Sequence, residues 1–531
     1  MHTDIAPGLV VIVISGVVFF YFLVKRKPLE GLRGPKGEGY LLGVEYKLKF
    51  EERMGELSFK WAKEYGTTYK IPGCFGETIL VTCDPRAIYH VLHQHVVDYP
   101  TSKDIRKFYE LVAGRGVVWV VGDEHKRHRR VLGPAFSVNQ TQSFIPLFQR
   151  HVQKLAEKWN AELERGTRTI DMVTWCHKVT LDVIGESSFN YHFGALEDKP
   201  NELTDALYEL EKLGSSPSAL EILLQAMPRH LPNFLVNNLR NNVATRYLEV
   251  SSEKARELMQ KPVSGHMDEE GKDILSVLNA QVQANQAEDP KKRLADHEVT
   301  AQISTLLQAG HHTTGYSLAW ILYELSRHPA DQQRVYEEIS RIRARTQGNF
   351  TTDDYDELAD GWLGACVKES LRLHPVLSQL ARTARHDDVI PLEFPIETAA
   401  GTTLSHVQVH SGQRIHIDVV AYNQLEDVWG ADAKEWNPAR FLESSIRNSA
   451  VTVGMTSNLL TFSGGPKGCL GWRFALLELH ALLAGLLEQF QFDVPEGVEI
   501  KDKMAVVIIP LVVGSEAAGA RLPLLVQSRT M

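Results

Sequence analysis

FSGGPKGCLG, residues 462–471, places one cysteine, Cys469, in a glycine-rich run just before a long apolar segment. The N-terminus of a helix has free N–H groups and a dipole that favours a thiolate. Gly465, Gly468 and Gly471 are expected to let backbone approach a flat ligand and the sulfur. Thiolate ligation of haem iron pushes electron density onto oxygen and favours O–O cleavage. Two plainer readings compete. A lone cysteine is more often core than ligand, and glycines before a helix can cradle phosphate. The run contains neither GxGxxG nor GxxxxGK[ST], which weakens the phosphate reading. The core reading gives way only if other segments supply a haem site.

Those segments are present. The run resembles the cytochrome P450 signature F-x-x-G-x-[R/H/K]-x-C-x-G, with Phe462, Gly465, Lys467, Cys469 and Gly471 in its fixed places. KESLRLHP resembles the family's ExxR segment, where Glu369 and Arg372 share a helix face at i, i+3. Arg440 in NPARF matches the arginine expected to complete a structural triad with them. Taken alone, such pairs would be surface ion pairs worth about 0–1 kcal/mol.

QAGHHTTGY, from Gln308 to Tyr316, resembles the oxygen-binding segment [A/G]-G-x-[D/E]-T-T. Ala309 and Thr313 lie at i, i+4 on one face, and Gly310 leaves room for a neighbour. The resemblance gives Thr313 the hydroxyl that steers protons during dioxygen activation. Back-bonding to its own helix is the plainer role. His312 replaces the usual acid. An imidazole can donate, accept and titrate near neutrality, so proton relay and simple packing both stand. His311 is expected to point away from Ala309, about 200° round the helix.

GDEHKRHRRVLGPAFS resembles the family's WxxxR helix, with His125 at the tryptophan position and Arg129 four residues on. The resemblance implies that both bind haem propionates, together with Arg382 and Lys467. Arginine pairs with carboxylates through charge-assisted, often bidentate bonds. His125 and Lys467 keep a donor but lose ring area or fork geometry.

The family therefore implies one large, mainly α domain with a small β lobe near the N-terminus, rather than the several domains that 531 residues would suggest. The resemblance implies haem with a cysteine thiolate axial ligand as cofactor, and NADPH as an indirect source of electrons. Five scattered cysteines give no disulfide framework and suit a reducing compartment. With a formal charge of −9 and no matching motif, nucleic acid is not an expected partner.

Ile5 to Val24 carries no charge and is long enough, at about 30 Å as a helix, to span a membrane. Lys25, Arg26 and Lys27 follow, which puts the remainder in the cytosol. Residues 1–27 thus read as an uncleaved N-terminal membrane anchor, transmembrane at about 5–24, and residues 28–45 as a hinge. Residues 46–531 read as the catalytic domain. The resemblance places such anchors in the endoplasmic reticulum membrane, in contact with lipid.

Strands are expected at Thr68–Ile71 and Thr78–Val81, with Pro72 and Gly73 as the turn, and a helix from Glu51 to Tyr65. Phe108, Tyr109 and Trp119 fall in a segment that contacts substrate in the family, although any one of them taken singly reads first as a core residue. Lys261–Glu270 reads as a loop, and Asp296 as the cap of the helix through His312. β-like runs fall within residues 387–420, and Leu470–Phe490 is apolar on nearly every face, as a buried helix should be. Lys126, Arg127 and Arg130 form a basic face where an acidic partner, NADPH–cytochrome P450 reductase by resemblance, could dock. His90, His93 and His95 lack a nearby carboxylate and read as structural rather than zinc-binding.

The expected activity is hydroxylation or epoxidation of an apolar small molecule. DDVIPL and AYNQLEDVWG resemble fungal membrane-bound members often used in secondary metabolism, so the substrate is expected to be terpenoid-like. Alternatives are a reductase-independent isomerase or dehydratase, xenobiotic or fatty-acid oxidation, and a non-catalytic haem sensor. Thr313 argues against the isomerase.

Overall fold

The computed structural model describes residues 29–212, 218–231, 235, 242–260, 273–276, 294–346, 348–442 and 449–529. Among the described residues helices predominate, and strands gather in four small sheets, one of which holds the short strand β3 (Thr169–Asp171). The helices that build the site are α1 (Glu56–Tyr65), α2 (Lys103–Ala113), α3 (Gly122–Leu132), α4 (Ile145–Glu164) and α5 (Met172–Phe189). They continue with α6 (Asp296–Arg327), α7 (Trp362–Leu373) and α8 (Trp472–Gln489).

The membrane-anchored reading is corrected. Among the described residues no helix is long and apolar enough to cross a membrane. The segment Ile5–Val24 lies outside those residues. The transmembrane helix, the single-pass topology and the endoplasmic-reticulum placement are not carried further. The loop expected at Lys261–Glu270 also lies outside the described residues.

The principal sheet joins β1 (Thr68–Pro72) and β2 (Thr78–Thr82) to β4 (Gln379–Thr383) and β7 (Arg414–Asp418), in the order β1-β2-β7-β4. β1 and β2 pair antiparallel with Tyr69 opposite Val81. β2 runs parallel to β7, and β7 antiparallel to β4 with Arg382 opposite Ile415. The lobe is therefore shared by distant parts of the chain and is not N-terminal alone. The turn is a 3-10 segment at Cys74–Gly76 rather than Pro72-Gly73. The expected helix from Glu51 begins only at Glu56, because Gly55 has a φ of +83°. Glu51 instead accepts from the N–H of Gly55. The remaining strand pair within 387–420 is an antiparallel hairpin, β5 (Asp388–Glu397) with β6 (Thr403–Val409).

The expected hinge is packed into the fold. Leu29 and Leu32 are buried in the main core, and the N–H of Lys70 donates to the carbonyl of Arg33. A Cβ on Gly34 would meet the Lys70 carbonyl oxygen at 1.8 Å, so only glycine allows this approach.

α5 and α6 cross at close quarters, and two glycines allow it. A Cβ on Gly310 would stand 2.6 Å from Ile184 Cδ1, and one on Gly315 would stand 2.3 Å from His177 Cδ2. α6 opens at Asp296, one residue inside the cap position held by Ala295. Asp296 is therefore not the cap; Glu298 reaches back to accept from the N–H of Ala295 at 2.8 Å. α8 is buried on most of its surface, as its sequence predicts. Phe474 packs edge-on to Phe144 and Phe148, at 5.7 and 5.2 Å between ring centroids.

Candidate haem-thiolate site

Glu369 and Arg372 lie on α7 with no exposed surface, and Arg440 joins them from the 3-10 segment Pro438–Phe441. Arg372 donates from Nε and Nη2 to the two Glu369 oxygens at 2.8 Å each. Arg440 Nε donates to Glu369 Oε1 at 3.1 Å. Two buried guanidiniums on one carboxylate would be costly if nothing else accepted from them. Arg372 also donates to the carbonyls of Asn423, Ala433 and Glu435. Arg440 donates to the Trp429 carbonyl and to Asp432. The triad thus knits α7 to the irregular segment that leads into the cysteine run.

That run has few regular hydrogen bonds of its own. The Cys469 N–H donates to the Phe462 carbonyl and the Gly468 N–H to the Gly465 carbonyl, each at 2.9 Å. Ser463 adopts a φ of +59°, a conformation few residues other than glycine, asparagine or aspartate adopt. The glycines do not act as expected. A Cβ on Gly465 would meet the Leu92 carbonyl oxygen at 2.0 Å, and one on Gly468 would meet Met455 Sδ at 2.4 Å. They admit neighbouring protein, and Gly471 has room for a Cβ.

Among the described residues all five cysteines are free, and Cys469 alone is exposed. Protein nonetheless surrounds it closely enough that desolvation pushes its thiol up. The Gly471 N–H and the Arg129 charge act in the opposite direction. Accessibility and desolvation coexist when a residue walls an internal space. The helix-terminus effect expected from sequence is therefore present but outweighed. Across the fold, α6 is buried along most of its length, yet Ala309 is exposed and Thr313 is half-buried.

Four cationic or titratable groups cluster near the cysteine. Arg129 Nη1 donates to the Gly468 carbonyl at 2.9 Å, and Lys467 Nζ to the Val120 carbonyl at 3.0 Å. Arg382 is 6 % exposed, and its Nε has no hydrogen-bond partner. Burial, then the charges of Lys467 and Arg129, hold His125 down to about 3. Burial, then Arg382 and Arg106, hold Lys467 to about 7. Burial lowers Arg382 to about 10. Unpaired buried charge is expensive, so this arrangement calls for an anion. Two propionates beside an accessible thiol meet that demand, and the residues fit haem. Arg106 is the member that sequence reading missed; it stacks on Trp119 at 4.3 Å.

Other expected residues stand elsewhere. Arg106 and Arg115 both stand over the Trp119 ring, at 4.3 and 4.8 Å from its centroid. Thr313 Oγ1 donates to the Ala309 carbonyl at 2.8 Å, the back-bonded arrangement. His312 stands edge-on to His177 of α5 at 5.2 Å, and burial pushes it down to about 3. A shift in that direction favours the neutral ring near pH 7 and the packing role of the two left open by the sequence. His311 also points to α5. The basic face is partly neutralised: Arg127 pairs with Glu298 and Lys126 with Asp123. His90 does have a carboxylate companion, Asp388, supplied by tertiary contact.

A mainly helical fold with an accessible thiol flanked by cationic side chains is the arrangement expected of a haem-thiolate oxidoreductase. The cytochrome P450 family model matches residues 33–513, and the chain belongs to that family. It is 33 % identical over 519 residues to cytochrome P450 monooxygenase claU of Ampulloclitocybe clavipes, covering 95 % of this chain and 93 % of that one. It is 32 % identical over 520 residues to cytochrome P450 monooxygenase 205 of Postia placenta, covering 95 % and 94 %. A ganoderic acid synthetase of Ganoderma lucidum is 30 % identical over 517 residues, covering 92 % and 93 %. The protein is accordingly a monooxygenase that uses haem with a cysteine thiolate axial ligand and NADPH-derived electrons delivered through a reductase.

Proposed function

We propose that Cys469 is the axial thiolate and that Arg129, His125, Lys467 and Arg382 hold the haem propionates. The observation that carries this is the cluster of Arg129, Lys467 and buried Arg382, which has no carboxylate partner among the described residues, beside an accessible thiol. Bound haem supplies the dioxygen activation that places one oxygen atom on the substrate. The Gly471 N–H and the Arg129 charge favour the ionised sulfur. Phe462 fixes the loop by accepting from the Cys469 N–H, and Gly465 admits the Leu92 carbonyl. Glu369, Arg372 and Arg440 hold the approach to that loop rigid.

On α6, Ala309 and Thr313 present an accessible strip. The Thr313 hydroxyl donates to the Ala309 carbonyl and keeps acceptor lone pairs with which to orient a proton donor at that strip. His312 contributes packing against His177 rather than a titrating relay. Residues 46–531 act as the catalytic domain in this reading, with the buried segment from Leu29 as an integral part. The substrate is an apolar, terpenoid-like molecule of secondary metabolism. The DDVIPL and AYNQLEDVWG stretches, and fungal relatives that include one named for ganoderic acid, support that class. The reductase docks near exposed Lys126 and Arg130, with Arg127 contributing little because Glu298 holds it.

The test is spectroscopic. Replacing Cys469 with Ala should abolish the carbon-monoxide difference band that marks thiolate ligation. Survival of that band would overturn the assignment. For the substrate, terpenoid and fatty-acid panels should differ in spin-state response, with terpenoids producing the shift.

A further inference from the structure

His90 and His95 lie on the π-helical turn His90–Gln94 and the residue that closes it. The His95 N–H donates to the His90 carbonyl at 2.9 Å, an i to i+5 bond. On an α-helix, residues five apart point about 140° from one another. The π turn instead stacks the two imidazoles at 4.2 Å. Asp388, 298 residues from His90, reaches the same place from the start of β5, and its Oδ2 lies 2.9 Å from His90 Nε2. One ligand atom from each of His90, His95 and Asp388 lies within 4.8 Å of the other two.

The surroundings orient these groups. The Tyr99 hydroxyl donates to Asp388 Oδ2 at 2.7 Å, and the Val389 N–H to Oδ1 at 2.7 Å. His95 Nδ1 lies 3.3 Å from Asp98 Oδ2. A carboxylate on one ring nitrogen fixes the tautomer and leaves the other nitrogen to ligate. His90 is buried, while His95 and Asp388 are half-buried, so the group can be reached from solvent. Two imidazoles and a carboxylate suit zinc, with water as fourth ligand; magnesium and calcium prefer oxygen alone.

We propose that His90, His95 and Asp388 form a binding site for a divalent zinc-class ion, separate from the haem site. The turn that carries the histidines also walls the cysteine loop. His93 Nε2 bonds the Val453 carbonyl at 2.8 Å, and the Leu92 carbonyl lies where a Gly465 Cβ would be. An ion here would pin the turn against that loop and stabilise the folded state, since the unfolded chain lacks the site.

The test uses the full haem-loaded chain, stripped with chelator and titrated with ZnCl2 by calorimetry and thermal unfolding. One zinc per chain should bind and raise the melting temperature, whereas MgCl2 should not. His95→Ala and Asp388→Asn should each weaken zinc binding by about tenfold or more. Binding should also fall on acidification, because the ligands must be deprotonated. Haem content checks that each variant is folded, and His95→Gln serves if His95→Ala is not. Absence of saturable zinc uptake would overturn the proposal. So would wild-type affinity in both variants, which would place the zinc among the other histidines of the 21 in the chain.

Discussion

Arg129 Nη1 donates to the carbonyl oxygen of Gly468 at 2.9 Å, so α3 is fastened to the residue that precedes Cys469. One side chain therefore serves two ends: it braces the cysteine loop and adds charge to the anion site. Hydrogen bonds to charged groups contribute about 1.5–3 kcal/mol. Arg129→Ala should lower haem retention about tenfold or more, read as the haem-to-protein ratio after gel filtration. Arg129→Lys keeps the charge without the fork and should fall between. Full occupancy in the alanine variant would show that Arg129 does not hold the cofactor.

Glu369 receives two buried guanidiniums. Removing one partner of such a group leaves uncompensated charge and costs about 3–5 kcal/mol. Glu369→Ala should therefore shift the denaturant midpoint strongly or prevent folding. Glu369→Gln keeps an acceptor and should lose less. Equal midpoints for the alanine variant and the parent would contradict the triad's structural role.

Gly310→Ala should cost about 1–3 kcal/mol, because its Cβ would stand 2.6 Å from Ile184 Cδ1. Ile184→Ala removes the obstructing atoms and destabilises by itself. In the double variant the two losses should not add, since the residues touch. A thermal-unfolding cycle measures the coupling; simple additivity would mean that α5 and α6 do not meet there.

Burial holds His312 to about 3, against an ordinary value of 6.5. Below about pH 6.5 the unfolded chain takes a proton that the folded chain refuses. Stability is thus undiminished above that pH and falls as pH drops towards 3, where the loss levels off. The slope per such histidine is at most about 1.4 kcal/mol per pH unit. His480, also held to about 3, contributes the same sign. His312→Gln should flatten the acid limb of the stability profile and leave product formation near pH 7–8 without a new pH dependence. An unchanged acid limb would mean that His312 is not protonated on unfolding.

The cysteine loop, the ExxR helix and the glycine of α6 are legible because each is local. Glu369 and Arg372 meet at i, i+3, and Gly310 declares a close approach without naming Ile184. The basic run is legible only in part, for the opposite reason. Arg127 looks solvated in sequence, but Glu298 neutralises it from 171 residues away. Arg106 is not legible because only the fold brings it near Lys467. The segment from Leu29 reads as a hinge from its glycines, although Gly34 is there to fit under Lys70.

The sequence by itself determined the family, the cofactor and the cysteine most fit to bind it, since these rest on residue types at fixed short spacings. Tertiary structure decided what no spacing encodes. It buried Arg382 and half-buried Lys467 side by side, packed His312 edge-on to His177, and set Asp388 against His90. Charge and hydrogen bonding act through space over a few ångströms, and the chain brings those partners together only when it folds.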